Sequence, residues 1–261
     1  MDLGLGGKVA VVAGGSRGCG RGISAELAKE GAAVVLTGRQ PDVVEATAKQ
    51  IEKAGGAALG VVADMTTPAG AFAIITATRN AFGHPDILVT NPPGPLPGDD
   101  YGRGFLNCAD EDFLRTNDQF IMSQVYLTRE VIPNMMEKRW GRLVNIASIC
   151  LKTPHHRDPL VLANLRVGIA GMMKTFAEEY GEHGITSNVV ATGPFHSELA
   201  DDYLKSQNVK DESWYAKEVP VRRWGRPEEM GSLVAFLCSE KAAFLTGETI
   251  RLDGGYGKSL F

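Results

Sequence analysis

Lys8-Val-Ala-Val-Val-Ala13 runs straight into Gly14-Gly15-Ser16-Arg17-Gly18-Cys19-Gly20, and an amphipathic stretch over residues 20–30 follows. The run 9–13 has no polar alternation, as expected of a strand covered on both faces. Gly14, Gly18 and Gly20 spell G-x-x-x-G-x-G at a strand-to-helix junction. Glycines there allow a tight turn and let a ligand approach the backbone. The helix start adds unpaired N–H groups and the positive end of its dipole. A strand, this turn and a helix in that order predict a cradle for the diphosphate of a dinucleotide. A merely tight turn is the alternative.

The same alternation continues outward. Strands are expected at 33–36, 58–62, 87–90, 143–147, 187–191 and 249–252, all rich in Val, Ile and Leu. Helices are expected at 43–54, 70–82, 111–137 and 166–182. Strand, helix, strand repeated in this way predicts an α/β fold: one doubly wound Rossmann domain over residues 1–261, with a parallel seven-stranded sheet and helices on both faces. No linker divides the chain, and no internal repeat or low-complexity tract appears. The loop-rich segments 92–100 and 192–218 both follow strands, where open α/β sheets place ligands. They read as site walls or as ordinary surface loops.

The second strand ends Leu36-Thr37-Gly38-Arg39, without the acidic residue that would bind the ribose 2′-OH of NAD. Arg39 stands there instead, and Arg17 lies in the glycine turn. A guanidinium suits a 2′-phosphate because its donors form a fixed fork. The two arginines favour NADP(H) over NAD(H), though either also reads as a solvated surface charge.

Further motifs follow in order: Ala63-Asp64-Met65, Leu88-Val89-Thr90-Asn91, Asn117 in Leu114-Arg-Thr-Asn-Asp118, Val144-Asn-Ile-Ala-Ser148, Thr192-Gly193-Pro194-Phe195-His196-Ser197, Arg226-Pro-Glu-Glu229, Thr246-Gly247 and Asp253-Gly-Gly255. With the glycine turn, they make the chain resemble the short-chain dehydrogenase/reductase family over essentially its whole length. The similarity is greatest to members like the 3-oxoacyl-carrier-protein reductases. The resemblance implies that Asp64, with Met65 beside it, binds adenine and that Asn91 supports the nicotinamide ribose. It implies that Gly193, Pro194 and Ser197 shape the nicotinamide pocket, and Ser16 belongs to the cradle. Ser148 would hydrogen-bond a substrate carbonyl, or simply end a strand. Asn117 would hold a proton-relaying water, or cap or kink its helix. The family's tetramers imply a homo-oligomer, a tetramer or a dimer. The ending Gly257-Lys-Ser-Leu-Phe261 fits a subunit contact or a frayed tail.

One part of the family pattern is missing. A Tyr-x-x-x-Lys pair normally follows the serine strand; the Tyr exchanges the proton and the Lys lowers its pKa and holds the ribose. Here Leu160-Val-Leu-Ala-Asn-Leu-Arg-Val-Gly-Ile-Ala-Gly-Met-Met-Lys174 puts Leu162 and Arg166 at those places. No tyrosine lies between Tyr126 and Tyr180, so a register slip does not restore the pair. Leucine cannot donate a proton, and arginine is effectively always protonated, so Arg166 is expected to hold a ribose hydroxyl of the cofactor and to act as an electrostatic stabiliser, not as an acid or base. Lys174 falls two turns later and is expected on the solvent side. Pro92-Pro93 also replaces small residues beside the nicotinamide, stiffening that loop. His155 and His156, in Lys152-Thr-Pro-His-His-Arg-Asp158, are candidate replacement acids because imidazole titrates near neutrality; they equally read as exposed loop histidines. His196 is a weaker candidate. Asn164 would orient a carbonyl or cap the helix. A lid is expected at about 194–218, helical over 197–207, with Phe195, Leu199, Tyr203 and Trp214 as lining or core.

Composition narrows the partners. The 261 residues are 44% apolar and 22% charged, with a net charge of −4. This argues against a general nucleic-acid binder, which needs a basic surface. No apolar run is long enough to span a membrane, and Met1-Asp2-Leu3-Gly4-Leu5-Gly6-Gly7 is not a secretory signal. Cys19, Cys108, Cys150 and Cys238 are too widely spaced for a zinc site or a disulfide framework, so no metal is expected and the thiols read as free. The expected setting is cytoplasmic and the expected partner a small-molecule substrate. Two functions follow: an NADP(H)-dependent oxidoreductase acting on a carbonyl, alcohol or activated double bond with non-standard proton transfer, or a non-redox or catalytically inactive dinucleotide-binding relative, such as a lyase, isomerase or dehydratase.

Overall fold

A computed structural model describes residues 2–92, 105–153, 161–198 and 217–260. Its centre is a parallel sheet of β1 (Val9–Ala13), β2 (Ala33–Gly38), β3 (Ala57–Val62), β4 (Ile87–Thr90), β5 (Gly141–Ser148), β6 (Ile185–Thr192) and β7 (Thr249–Leu252), in the order β3-β2-β1-β4-β5-β6-β7. The expected seven-stranded α/β fold is therefore present. Every expected strand is found, with β5 and β6 longer by a few residues.

The uniformly apolar strands are explained by two cores. Ala10 and Val12 of β1 face one side, where they pack with Ile23 and Leu27 of α1 (Gly18–Lys29), Val44 and Ile51 of α2 (Pro41–Lys53), and Met230 and Val234 of a late helix. Val11 and Ala13 face the other. There they meet Ile74 and Ile75 of α3 (Pro68–Phe82) and Leu127, Val131 and Met135 of a long helix. Successive strand residues alternate between faces, so a strand with helices on both sides has no solvent face to mark with polar residues.

One expected helix is interrupted, and another is preceded by a short one that was not expected. The stretch expected at 111–137 forms α4 (Asp110–Asn117), a π-helical turn (Asp118–Met122) and α5 (Ser123–Lys138). The stretch expected at 166–182 forms α7 (Val167–Tyr180), with a separate short α6 (Val161–Asn164) before it. At the break, the N–H groups of Leu165 and Gly168 reach back only three residues, to the carbonyls of Leu162 (3.2 Å) and Leu165 (3.3 Å). Arg166 Nε donates to the Ala163 carbonyl at 2.9 Å. An unbroken α-helix would give that acceptor to the N–H of Val167.

The last helix, α8 (Pro227–Cys238), opens with Pro at its first position and Glu228 and Glu229 in its first turn. The Glu229 carboxylate accepts from the Arg226 N–H (2.8 Å) and from Arg223 Nη1 (2.8 Å) and Nη2 (2.6 Å). The bond from Arg223, then that from the Arg226 backbone, holds its pKa down at about 2. α8 crosses α1 at glycines: a Cβ on Gly22 would sit 2.1 Å from the Pro227 carbonyl oxygen, and one on Gly231 2.4 Å from that of Gly22. Alanine at Gly22 would gain about 1 kcal/mol of helix propensity, but the obstacle is backbone and cannot turn aside. Gly22→Ala is expected to lower stability by about 1–3 kcal/mol net, read as a lower urea midpoint. A midpoint equal to or above that of the parent would show that the two helices do not meet so closely.

Candidate functional site

The sheet order reverses between β1 and β4, which opens a crevice at the strand C-termini. The glycine turn fills the β1 side of it. Gly14 has φ +79° and Gly18 φ +47°, a region L side chains rarely enter. A Cβ on Gly20 would lie 2.0 Å from the Gly14 carbonyl oxygen, and one on Gly14 2.1 Å from that of Asn91. The turn is tied down from several sides. Asn91 Nδ2 donates to the Gly14 carbonyl (3.0 Å), and the Gly14 N–H donates to Thr37 Oγ1 (3.1 Å). The Ser24 hydroxyl, fully buried in α1, reaches the carbonyls of Gly15 (3.1 Å) and Gly20 (3.0 Å). Thr47 of α2 donates to the Ser16 carbonyl at 2.9 Å.

The residues expected around adenosine follow β1, β2 and β3. Ser16 is buried under the turn, close enough that a Cβ on Gly38 would meet its Oγ at 2.3 Å. Arg17 and Arg39 are both exposed at this edge, and the Arg17 guanidinium donates to Gln40 Oε1. Asp64 Oδ1 accepts from Thr66 N (2.9 Å) and Oγ1 (2.7 Å), and Met65 beside it is buried. Cys19, inside the turn, has its thiol pushed up to about 12 by burial, which keeps it protonated.

The segment after β6 closes over the turn. Gly193 lies against Asp253, with a Cβ there only 2.6 Å from the Asp253 Cα. The Pro194 carbonyl accepts from the Gly225 N–H (2.9 Å), and the His196 N–H donates to the Gly225 carbonyl (2.9 Å). Phe195 is buried in the first core against Gly225, so of its two readings the core one is found. His196 is exposed and stacked on Trp224, with ring centroids 5.6 Å apart. Ser197 sits on Gly18: a Cβ added there would be 2.9 Å from the Ser197 Cβ. Glu198 accepts from the Gly18 N–H at 3.2 Å and pairs with Arg21 at 3.0 Å.

Of the groups expected around a substrate, Ser148, Asn117, Leu162 and Arg166 are among the described residues. Ser148, at the end of β5, accepts from the Cys150 N–H at 3.3 Å and so caps a 3-10 turn, Ile149–Leu151. Asn117 stands exposed where α4 becomes the π turn. Leu162 is 1% exposed and packs on Phe120, with Cys108 and Phe113 around them. The Arg166 guanidinium lies 4.0 Å from the centroid of the Phe120 ring. Arg166 and Phe120 close a crevice with Pro92, Asn145, Ile146, Ala147 and Ile169 that has a volume of about 10 Å³, the room of one water. Lys174 is on the solvent side as expected, 3.5 Å from Glu248. Asn164 ends α6, and its buried Oδ1 has no hydrogen-bond partner among the described residues. His155, His156, Pro93, Leu199, Tyr203, Trp214 and most of the expected lid lie outside the described residues.

Three features escaped the sequence reading. Under the crevice, Asn145 Nδ2 donates to Thr90 Oγ1 (2.8 Å) and Gln124 Oε1 (3.1 Å), and Gln124 Nε2 to Thr128 Oγ1 (2.8 Å). The Thr90 hydroxyl also bonds Gln124 Oε1. These residues are all buried, so the network joins β4, α5 and β5 in a dry interior. Thr90 and Asn145 sit in quoted motifs, but a pairing between distant residues leaves no local pattern. The second feature is Phe120, and the third is the carboxylate of Glu198 on the glycine turn.

A family model described as Enoyl-(Acyl carrier protein) reductase matches residues 13–257. The 3-oxoacyl-[acyl-carrier-protein] reductase FabG of Vibrio cholerae is 32% identical over 253 residues, which span 97% of this chain and 98% of that protein. L-sorbose reductase from Gluconobacter frateurii, solved with NADPH and L-sorbose, superposes with a TM-score of 0.90 at 32% identity and full coverage of both chains. An actinorhodin polyketide ketoreductase solved with NADPH gives 0.88 at 28% identity, over 97% of this chain and 98% of that one. The chain belongs to the short-chain dehydrogenase/reductase family of oxidoreductases.

Gln124 is the hub of the buried network, bonded to three other side chains. Gln124→Leu would strand polar groups away from water, each costing about 1–3 kcal/mol. The variant is expected to lose at least about 2 kcal/mol in urea denaturation. A loss well below that would mean the network adds little to the stability of the β4–β5 floor.

Proposed function

We propose that this family member is an NADP(H)-dependent oxidoreductase acting on a carbonyl or alcohol, or on an activated double bond, with a proton-transfer arrangement that replaces the Tyr–Lys pair. The observation that carries the dinucleotide is the tightness of the turn: Gly14 and Gly20 each face backbone within 2.1 Å of where a Cβ would stand. A ligand can then meet the start of α1 at backbone distance. Gly14, Ser16, Gly18 and Gly20 would hold the diphosphate and Asp64 and Met65 the adenine. Asn91 and Arg166 would hold the nicotinamide ribose, with Gly193, Pro194 and Ser197 as the nicotinamide wall. Arg17 and Arg39 would take a 2′-phosphate; the NADPH in both of the similar structures supports that choice.

The cofactor, when bound, supplies or accepts the hydride. The chain supplies position and charge. Ser148 uses a lone pair on the Cys150 N–H, which leaves its own proton to donate to a substrate oxygen. Arg166 is a fixed positive charge able to stabilise negative charge on that oxygen. Asn117 would hold a water, and His156 would deliver or take the proton. Homo-oligomers, dimers or tetramers, in a cytoplasmic setting complete the reading. Exposed Leu106, Leu114, Phe244 and Leu260 offer apolar surface for such contacts.

A second reading, a non-redox or inactive dinucleotide-binding protein, is favoured by one observation: Leu162 is sealed against Phe120 where a proton donor would stand. NADPH absorbance separates the two. The purified protein is expected to consume NADPH with some member of a panel of ketones, aldehydes and enones, and Ser148→Ala to lower kcat about 10²–10³-fold. Tight NADPH binding with no turnover across the panel would give the second reading its place. In titrations with either coenzyme, Arg39→Ala is expected to weaken NADPH at least about tenfold and leave NADH unchanged. Equal losses for both would remove Arg39 from the 2′-phosphate.

A further inference from the structure

The start of α1 already carries an anion. Gly18 is the first residue of that helix, and its N–H is an orphan donor at the positive end of the dipole. Glu198 Oε2 accepts from it at 3.2 Å, and Oε1 lies 3.0 Å from Arg21 Nη1 on the next turn. The contact is supported by packing, because Ser197 presses on the same glycine and any side chain at Gly18 would displace it. Partial burial opposes the charge on Glu198. Its own backbone N–H, Arg21, the Gly18 N–H and Arg17 outweigh that and hold the carboxyl below the ordinary range. The carboxylate is thus ionised and bonded on both oxygens.

We propose that Glu198 is an internal stand-in for the cofactor diphosphate, so that a dinucleotide binds only by taking the Gly18 N–H from the Glu198 carboxylate. This rests on the dinucleotide reading given above. One N–H and one dipole end cannot serve two full negative charges a hydrogen-bond length apart. The carboxylate keeps the orphan donor satisfied in the free protein, and its departure is part of what dinucleotide binding costs. Arg21 is placed to retain Glu198 by its other oxygen once Gly18 is released. The residue therefore sets cofactor affinity without contributing a contact to the cofactor.

The test is equilibrium binding of NADPH and of adenosine 2′-monophosphate to the full chain and to Glu198→Gln, by calorimetry. The second ligand has the adenosine 2′-phosphate but no diphosphate, so it does not compete for Gly18. Glu198→Gln is expected to bind NADPH about tenfold more tightly and adenosine 2′-monophosphate unchanged; the latter also shows that the variant is folded. Unchanged or weaker NADPH binding would overturn the proposal and make Glu198 a strut of the turn. A gain equal for both ligands would overturn it as well, since that is a field effect and not displacement. Failure of the parent and the variant alike to bind either ligand would instead strike at the dinucleotide reading itself.

Discussion

The upper edge of this protein depends on how closely the carbonyl of Gly14 approaches the first turn of α1. A Cβ on Gly20 would stand 2.0 Å from that oxygen, so the strand and the helix nearly touch. Only a residue without a side chain allows it. Asn91 then reaches the same carbonyl from β4, and the Ser24 hydroxyl bonds the turn from inside α1. The sheet order reverses at these two strands, so one short contact fixes the crevice, its floor and the direction of the helix dipole together. The close crossing of α8 over Gly22 holds the next turn of the same helix.

What the sequence made legible follows from that geometry. Glycine spacing, strand apolarity and helix periodicity are local, and each gave the right element. The residues proposed for the cofactor stand out in the sequence for the same reason: they lie at strand ends and turns, in short ordered motifs. The breaks were not legible. Asn117 was offered as a possible kink, but nothing in 111–137 announces five residues of π-helix after it. The break between α6 and α7, at Leu165 and Arg166, has no local signal either. The bonds among Thr90, Gln124 and Asn145 join residues up to 55 positions apart, and such pairings are set by the fold.

The same limit applies to Phe120. Its position in the π turn brings it against Leu162 and under Arg166, elements that only the tertiary structure places together. Read alone, Leu162 is a missing proton donor. Read with Phe120, it is half of a small apolar cluster. The Arg166 guanidinium, held by the Ala163 carbonyl and the aromatic face, is a charge with little freedom to move. Leu162, Phe120 and Arg166 thus form one packed unit.

This separates binding from proton transfer on physical grounds. The glycine turn proposed for the diphosphate is held by backbone and by Asn91, Thr37 and Ser24, none of which involves residues 162 and 166. Proton transfer asks for a titratable group within hydrogen-bond reach of the reacting oxygen. Ser148 and Arg166 offer hydrogen bonds and charge, but neither cycles a proton near neutral pH. An acceptor whose negative charge is delocalised, as in reduction of an activated double bond, makes the smallest demand for a strong acid at the moment of hydride transfer. A simple ketone makes a larger one, because the charge gathers on a single oxygen.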